Sequence, residues 1–130
     1  MERKKVTFEY MIRASPALLY DFFTTPSSLV RWFCEKVDTQ RDNIYAFTWS
    51  GYDEIAKLTE DVEEELVRYT WLAPREDEYL EFKISQSRVT SETILEITDF
   101  CDEDEVEQTK ALWDSQIQAL KKETGSGSGG

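Results

Sequence analysis

Between Lys5 and Ile12 the chain alternates cleanly, with Val6, Phe8, Tyr10 and Ile12 on one side and Thr7, Glu9 and Met11 on the other. Alternation of period two marks a strand buried on one face. Ser15-Pro16 follows, a capping hydroxyl and then proline at the first helical position, where its missing N–H is harmless. Leu18, Leu19, Phe22 and Phe23 predict a short helix that stops before Thr25-Pro26. Ser27 or Ser28 is expected to cap a second short helix, Leu29 to Phe33, ending near Cys34.

A run of strands comes next. Lys36 to Gln40 is followed by Ile44 to Trp49, where Tyr45, Phe47 and Trp49 share a face. Asp53 to Asp61 is next, and then Leu66 to Leu72, with Val67, Tyr69 and Trp71 aligned. Tyr79 to Gln86 aligns Leu80, Phe82 and Ile84, and Thr90 to Phe100 is mixed on both faces. Turn residues separate them: Arg41-Asp42-Asn43, Ser50-Gly51-Tyr52-Asp53, the acidic Glu63-Glu64-Glu65, and Ala73-Pro74-Arg75-Glu76-Asp77. Short strands at this spacing predict an antiparallel meander.

From Val106 to Lys122 the pattern is helical, and Val106, Trp113, Ile117 and Leu120 fall within roughly 60° of one another around the axis. A long helix with one apolar stripe must lie on something, and the preceding strands supply the surface. The predicted class is α+β: a curved antiparallel sheet of about six or seven strands around a long C-terminal helix, with two short helices after strand one. Residues 1–124 read as one domain and Gly125 to Gly130 as a flexible Gly/Ser tail.

Charge narrows the partners. The formal net charge is −12, a field that repels phosphate backbones and anionic headgroups, so nucleic acid and membrane surfaces are disfavoured. No apolar run approaches the roughly 20 residues of a membrane span, and the N-terminus leads into a strand without a signal-like core, so a cytoplasmic setting is expected. The two cysteines, Cys34 and Cys101, are expected to be reduced and buried. There is no histidine. That removes the commonest general base, the commonest metal ligand and every Ser-His or Cys-His pair.

Three stretches carry a family likeness. They are Ser15-Pro16-Ala17-Leu18-Leu19-Tyr20-Asp21-Phe22-Phe23-Thr24-Thr25-Pro26, Ser28-Leu29-Val30-Arg31-Trp32-Phe33, and Leu112-Trp113-Asp114-Ser115-Gln116-Ile117-Gln118-Ala119-Leu120-Lys121. In order and spacing they resemble the START-like superfamily, the helix-grip fold of birch-pollen-allergen-type proteins. The last stretch is similar to the closing helix of the branch related to the activator of the heat-shock-protein ATPase. The resemblance implies a cavity between sheet and long helix, often holding lipids, sterols or other apolar molecules. It also implies enzymes such as aromatase/cyclase proteins and protein-binding chaperone activators as relatives.

The candidate ligand-binding residues are Tyr45, Phe47, Trp49, Tyr69, Trp71, Phe82, Trp113 and Ile117. An aromatic wall suits planar or lipid-like guests, and the same rings equally serve as plain core; the pattern alone does not separate the two. Thr48, Thr70, Thr93 and Thr98 sit among apolar neighbours and need partners if buried. Arg68 is ordinary if its face meets solvent and needs a carboxylate if it points inward. Glu54 with Glu81 is a carboxylate pair that spacing alone does not bring together.

Glu60-Asp61-Val62-Glu63-Glu64-Glu65 lacks the glycine of a cation loop and reads as a solvated hairpin end. Asp102-Glu103-Asp104-Glu105 is expected to cap the last helix. No catalytic residue, metal site or cofactor is assigned. Non-catalytic binding of a small apolar or lipid-like molecule is the leading expectation. A protein-interaction module follows, as a homodimer or with a basic partner, and then an enzyme using the same cavity.

Overall fold

The structure is a computed structural model that describes residues 2–73, 75 and 77–125. Residues 126–130 of the expected tail lie outside the described residues, as do Pro74 and Glu76 of the expected Ala73–Asp77 turn. Seven strands form one antiparallel sheet: β1 (Arg3–Ile12), β2 (Lys36–Gln40), β3 (Ile44–Trp49), β4 (Tyr52–Val62), β5 (Leu66–Trp71), β6 (Tyr79–Gln86) and β7 (Thr93–Asp102). Helices α1 (Pro16–Thr24) and α2 (Pro26–Leu29) follow β1, and α3 (Val106–Glu123) closes the chain. The architecture is α+β, as the periodicities predict.

Strands β2 to β7 pair in chain order, and β1 adds at the far edge beside β7, giving β1-β7-β6-β5-β4-β3-β2. The β3–β4 turn places both Ser50 and Gly51 at positive φ, 44° and 87°. This is the backbone twist that a tight hairpin needs, and glycine adopts it without strain. In β4 the register slips between Leu58, opposite Tyr69, and Glu60, opposite Arg68, so Thr59 is an extra residue. Such a bulge bends its strand and sharpens the twist, which helps the sheet curl around α3. The Thr59 hydroxyl lies 2.7 Å from that of Thr70.

The core fills the concave side. Trp113, Ile117 and Leu120 of α3 are buried there with Phe47, Val67, Tyr69, Leu80, Phe82, Leu95 and Ile97 of the sheet. Val106, expected on the same stripe, is only half-buried at the start of the helix. Two side-chain clamps fasten α3 to the sheet: Tyr10 Oη donates to Asp114 at 2.8 Å, and Trp113 Nε1 donates to Asp99 at 2.9 Å.

Helix α1 ends inside the protein, where its last four carbonyls have no intrahelical partner. Each one finds a donor. The Thr25 N–H meets Asp21 O at 2.9 Å. Trp32 Nε1 donates to Phe22 O at 2.9 Å, Tyr69 Oη to Phe23 O at 2.6 Å, and Tyr45 Oη to Thr24 O at 3.0 Å. Phe23 also stacks on Phe82, with ring centroids 4.3 Å apart. These bonds seat α1 on β3 and β5 and close one end of the concave face.

Three local expectations need correction. The second helix spans Pro26–Leu29 and not Leu29–Phe33, because Pro26 takes the first helical position. Ser28 does not cap it: its hydroxyl donates to Asp21 at 2.7 Å. Neither Asp102 nor Glu105 caps α3 through its side chain. Glu103–Glu105 forms a 3₁₀ turn instead, and Asp102 accepts the Arg3 guanidinium at 3.0 Å.

Arg68 lies on the outer face, between the buried Val67 and Tyr69. It donates to Glu81 at 2.6 and 2.8 Å and covers the Tyr79 ring at 4.3 Å. Of the four threonines, Thr93 and Thr98 are buried; Thr48 donates to Asp53 at 2.6 Å in an exposed setting. Cys34 and Cys101 are free and buried, and burial pushes the Cys34 thiol up to about 11, out of the range of a reactive thiolate.

Candidate functional site

Strand parity decides what faces α3. Phe47 pairs with Glu54, and Tyr45 with Ala56. Ala56 and Leu58 are buried, so Glu54 shares the concave face with them. On β7 the buried Leu95 and Ile97 set the same parity, which carries on to Asp99. Two carboxylates from strands far apart in sequence therefore look toward α3.

They border a cavity of about 770 Å³ between sheet and helix. Its aromatic wall is Phe33, Trp49, Trp71 and Trp113. Phe33 packs edge-on against Trp49 at 5.2 Å and face-on to Trp113 at 6.1 Å. Trp49 is pinned by its own indole N–H, which donates to Phe33 O at 2.6 Å. At the opening, Tyr52, Ile55, Leu72 and Leu112 remain 56, 42, 40 and 58% exposed, although each is large and apolar.

The charges fall into two groups. Arg3 donates to both oxygens of Glu78, at 2.7 and 2.9 Å, and to Asp102 at 3.0 Å. Arg75 approaches the same Glu78 at 4.0 Å. Within this knot the hydrogen bonds are those of Arg3 to Glu78 and Asp102. Glu54, by contrast, makes no hydrogen bond to any described side chain and stands open to the cavity. Desolvation, and then the charge of Asp99, push its carboxyl above the ordinary range against the pull of Arg75. Burial pushes Asp99 up as well, although the N–H groups of Trp113 and Phe100 and the charge of Arg3 pull it back.

Three of the eight sequence candidates, Trp49, Trp71 and Trp113, border this cavity. Phe47, Tyr69, Phe82 and Ile117 are fully buried in the core, and Tyr45 packs against it half-buried. Tyr45 and Tyr69 spend their hydroxyls on α1 carbonyls. Glu54 and Glu81 lie on opposite faces of the sheet, since Glu81 sits across from Arg68. The carboxylate that faces Glu54's side is Asp99, which the sequence pattern did not single out. Its signal was the parity of Leu95 and Ile97 continued by one step.

The sequence profile of the START-like superfamily domain matches residues 1–126. The chain belongs to the START-like superfamily. This START-like chain is similar to BfR322 of Bacteroides fragilis, solved in solution: 31% identical, with 94% of this chain and 91% of that one covered, at a TM-score of 0.67. The Aha1 dimer of Colwellia psychrerythraea shares the fold at 17% identity, with 93 and 96% covered and a TM-score of 0.79. So does MLL2253 of Mesorhizobium loti, also at 17% identity, with 92 and 95% covered and a TM-score of 0.72. No curated protein matches the chain in sequence.

Elsewhere among the described residues of the START-like domain, Asp102, Asp104 and Glu105 bring carboxylate oxygens within 4.8 Å of one another. Asp104 and Glu105 are exposed there, and Asp102 is held by Arg3. No described helix is long and apolar enough to cross a membrane.

Proposed function

We propose that this START-like protein binds a small apolar or lipid-like molecule, without transforming it, in the cavity between the sheet and α3. The observation that carries the reading is the ring of large apolar side chains left in water around an aromatic-walled space of about 770 Å³. Globular domains bury such side chains when they have somewhere to put them, and ligand sites are concave, mostly apolar and set with a few polar groups. The superfamily's fold is one known for ligand binding. Trp49, Trp71 and Trp113 are the residues assigned to the guest, with Phe33 and Leu112 beside them. A cytoplasmic setting belongs to the reading and is supported by two unpaired, buried cysteines.

Native mass spectrometry of the freshly purified protein is the test, combined with tryptophan emission during titration with naphthyl compounds. A bound mass released by organic solvent, or saturable quenching that weakens about tenfold in Trp71→Ala, is expected, since one ring contributes on the order of 1–2 kcal/mol. A bare mass together with no response to any compound overturns the reading.

The exposed apolar rim also favours a second reading, a contact surface for protein. The fold neighbour from Colwellia psychrerythraea is described as a dimer. Light scattering across a concentration series distinguishes the two, because a self-associating rim gives a mass that rises with concentration and falls in Leu112→Glu.

A further inference from the structure

The cavity has a charge imbalance that an apolar guest alone leaves unanswered. Its described lining residues include four carboxylates, Asp53, Glu54, Glu78 and Asp99, against two guanidiniums, Arg3 and Arg75. Glu78 absorbs Arg3 through two hydrogen bonds and stands 4.0 Å from Arg75. Asp53 accepts the Thr48 hydroxyl at 2.6 Å. Asp99 accepts only neutral donors, the indole of Trp113 at 2.9 Å and the Phe100 N–H at 2.8 Å. Glu54 accepts none from a described residue. Glu54, exposed on β4, and Asp99, half-buried on β7, therefore line the same cavity as the indoles of Trp49, Trp71 and Trp113. Among the described residues neither accepts a hydrogen bond from a lysine or arginine.

Resting on the binding reading above, we infer that the guest is an organic amine, with an apolar or aromatic body among the indoles and its ammonium group between Glu54 and Asp99. An ammonium N–H forms charge-assisted hydrogen bonds to carboxylates, the stronger class of hydrogen bond. The faces of tryptophan rings attract the same cation. A carboxylate-bearing guest is repelled by Glu54 and finds Arg3 engaged by Glu78 and Asp102. Of the two lining guanidiniums Arg75 alone, 4.0 Å from Glu78, is placed to attract it. The net charge of −12 draws cations toward the protein before contact. Burial is the main cause that holds both carboxyls above their ordinary range, and a cation beside them would favour their charged forms.

The test is isothermal titration calorimetry near neutral pH with three matched compounds: 2-(1-naphthyl)ethylamine, 2-(1-naphthyl)ethanol and 1-naphthylacetic acid. The amine is expected to bind about tenfold tighter than the alcohol, and the acid most weakly. Glu54→Gln and Asp99→Asn should each shrink the amine's advantage over the alcohol measured on the same variant. Circular dichroism melts of both variants confirm that they are folded. Equal affinity for the three compounds overturns the amine assignment and leaves apolar binding standing. An amine preference that survives both substitutions also overturns it, because the charge is then read elsewhere. Failure of all three compounds to bind removes the binding reading itself.

Discussion

Asp99 sits where its own charge is disfavoured, and that has a consequence for stability. Its native pKa lies above the ordinary aspartate value, with burial as the main cause. The native state therefore holds a proton at pH values where the unfolded chain has released it, so stability rises as pH falls through the native pKa. The gain is complete once pH drops below about 3.9, the unfolded value. Glu54 acts in the same direction. Asp102 and Asp114, lowered by hydrogen bonds from Arg3 and Tyr10, have the opposite sign, and their contribution is lost only below the ordinary aspartate range.

Asp99→Asn keeps an oxygen for the Trp113 N–H and removes the charge. The variant should melt above the parent at about pH 8, and the gap should close toward about pH 4 as Asp99 protonates. Thermal melts at several pH values in parallel check this. A constant gap contradicts it.

At this scale the sequence misleads at one point. In Tyr52-Asp53-Glu54-Ile55-Ala56 hydrophobicity favours Ile55 as the inward residue, yet Ile55 is exposed and Ala56 is buried. The register is set by Ala56 and Leu58, and Glu54, itself exposed, shares their face at the cavity. A local reading of side-chain polarity has no access to that choice, which depends on the pairing with Phe47.

Among elements, α1 shows how rings that read as pocket candidates become structural. Its carbonyls at Phe22, Phe23 and Thr24 are answered by Trp32, Tyr69 and Tyr45, which come from three other parts of the chain. Tyr69→Phe leaves the Phe23 carbonyl buried without that donor. A loss of about 1–3 kcal/mol is expected, with unchanged affinity for the naphthyl amine, as measured by denaturant titration and calorimetry. A variant of full stability but weakened binding would place Tyr69 in the site instead. The strands, their order from β2 to β7 and the stripe of α3 were all legible, because each rests on a local period. The ends of α1 were legible as well, from Ser15-Pro16 and Thr25-Pro26, but the donors that answer its last carbonyls were not, because hydrogen bonds to a helix terminus leave no period in the sequence.

At the level of the molecule, 27 acidic residues face 15 basic ones. Like charges on a compact surface repel, and salt shortens their reach from about 30 Å at 0.01 M to about 8 Å at 0.15 M ionic strength. The melting temperature should therefore climb over that interval, while affinity for a cationic guest declines. Differential scanning calorimetry and titrations in the same buffers test both, and a melting temperature that falls with salt contradicts the first. The curved sheet under a long helix and the family likeness were readable from end to end. The cavity was not, because its volume depends on how far α3 stands from Glu54 and Trp71.

Strand β1 waits long for its partner. Arg3 pairs with Asp102, and Ile12 with Thr93, so β1 has no neighbour in the sheet until β7 has been made. Contacts that span so much sequence slow folding, and an unmatched strand in the meantime invites pairing with other chains. Arg3-Lys4-Lys5 at its start gives that waiting edge a positive charge, which repels identical nascent ends. On the ribosome, then, the appearance of β7 governs when β1 is safe from aggregation.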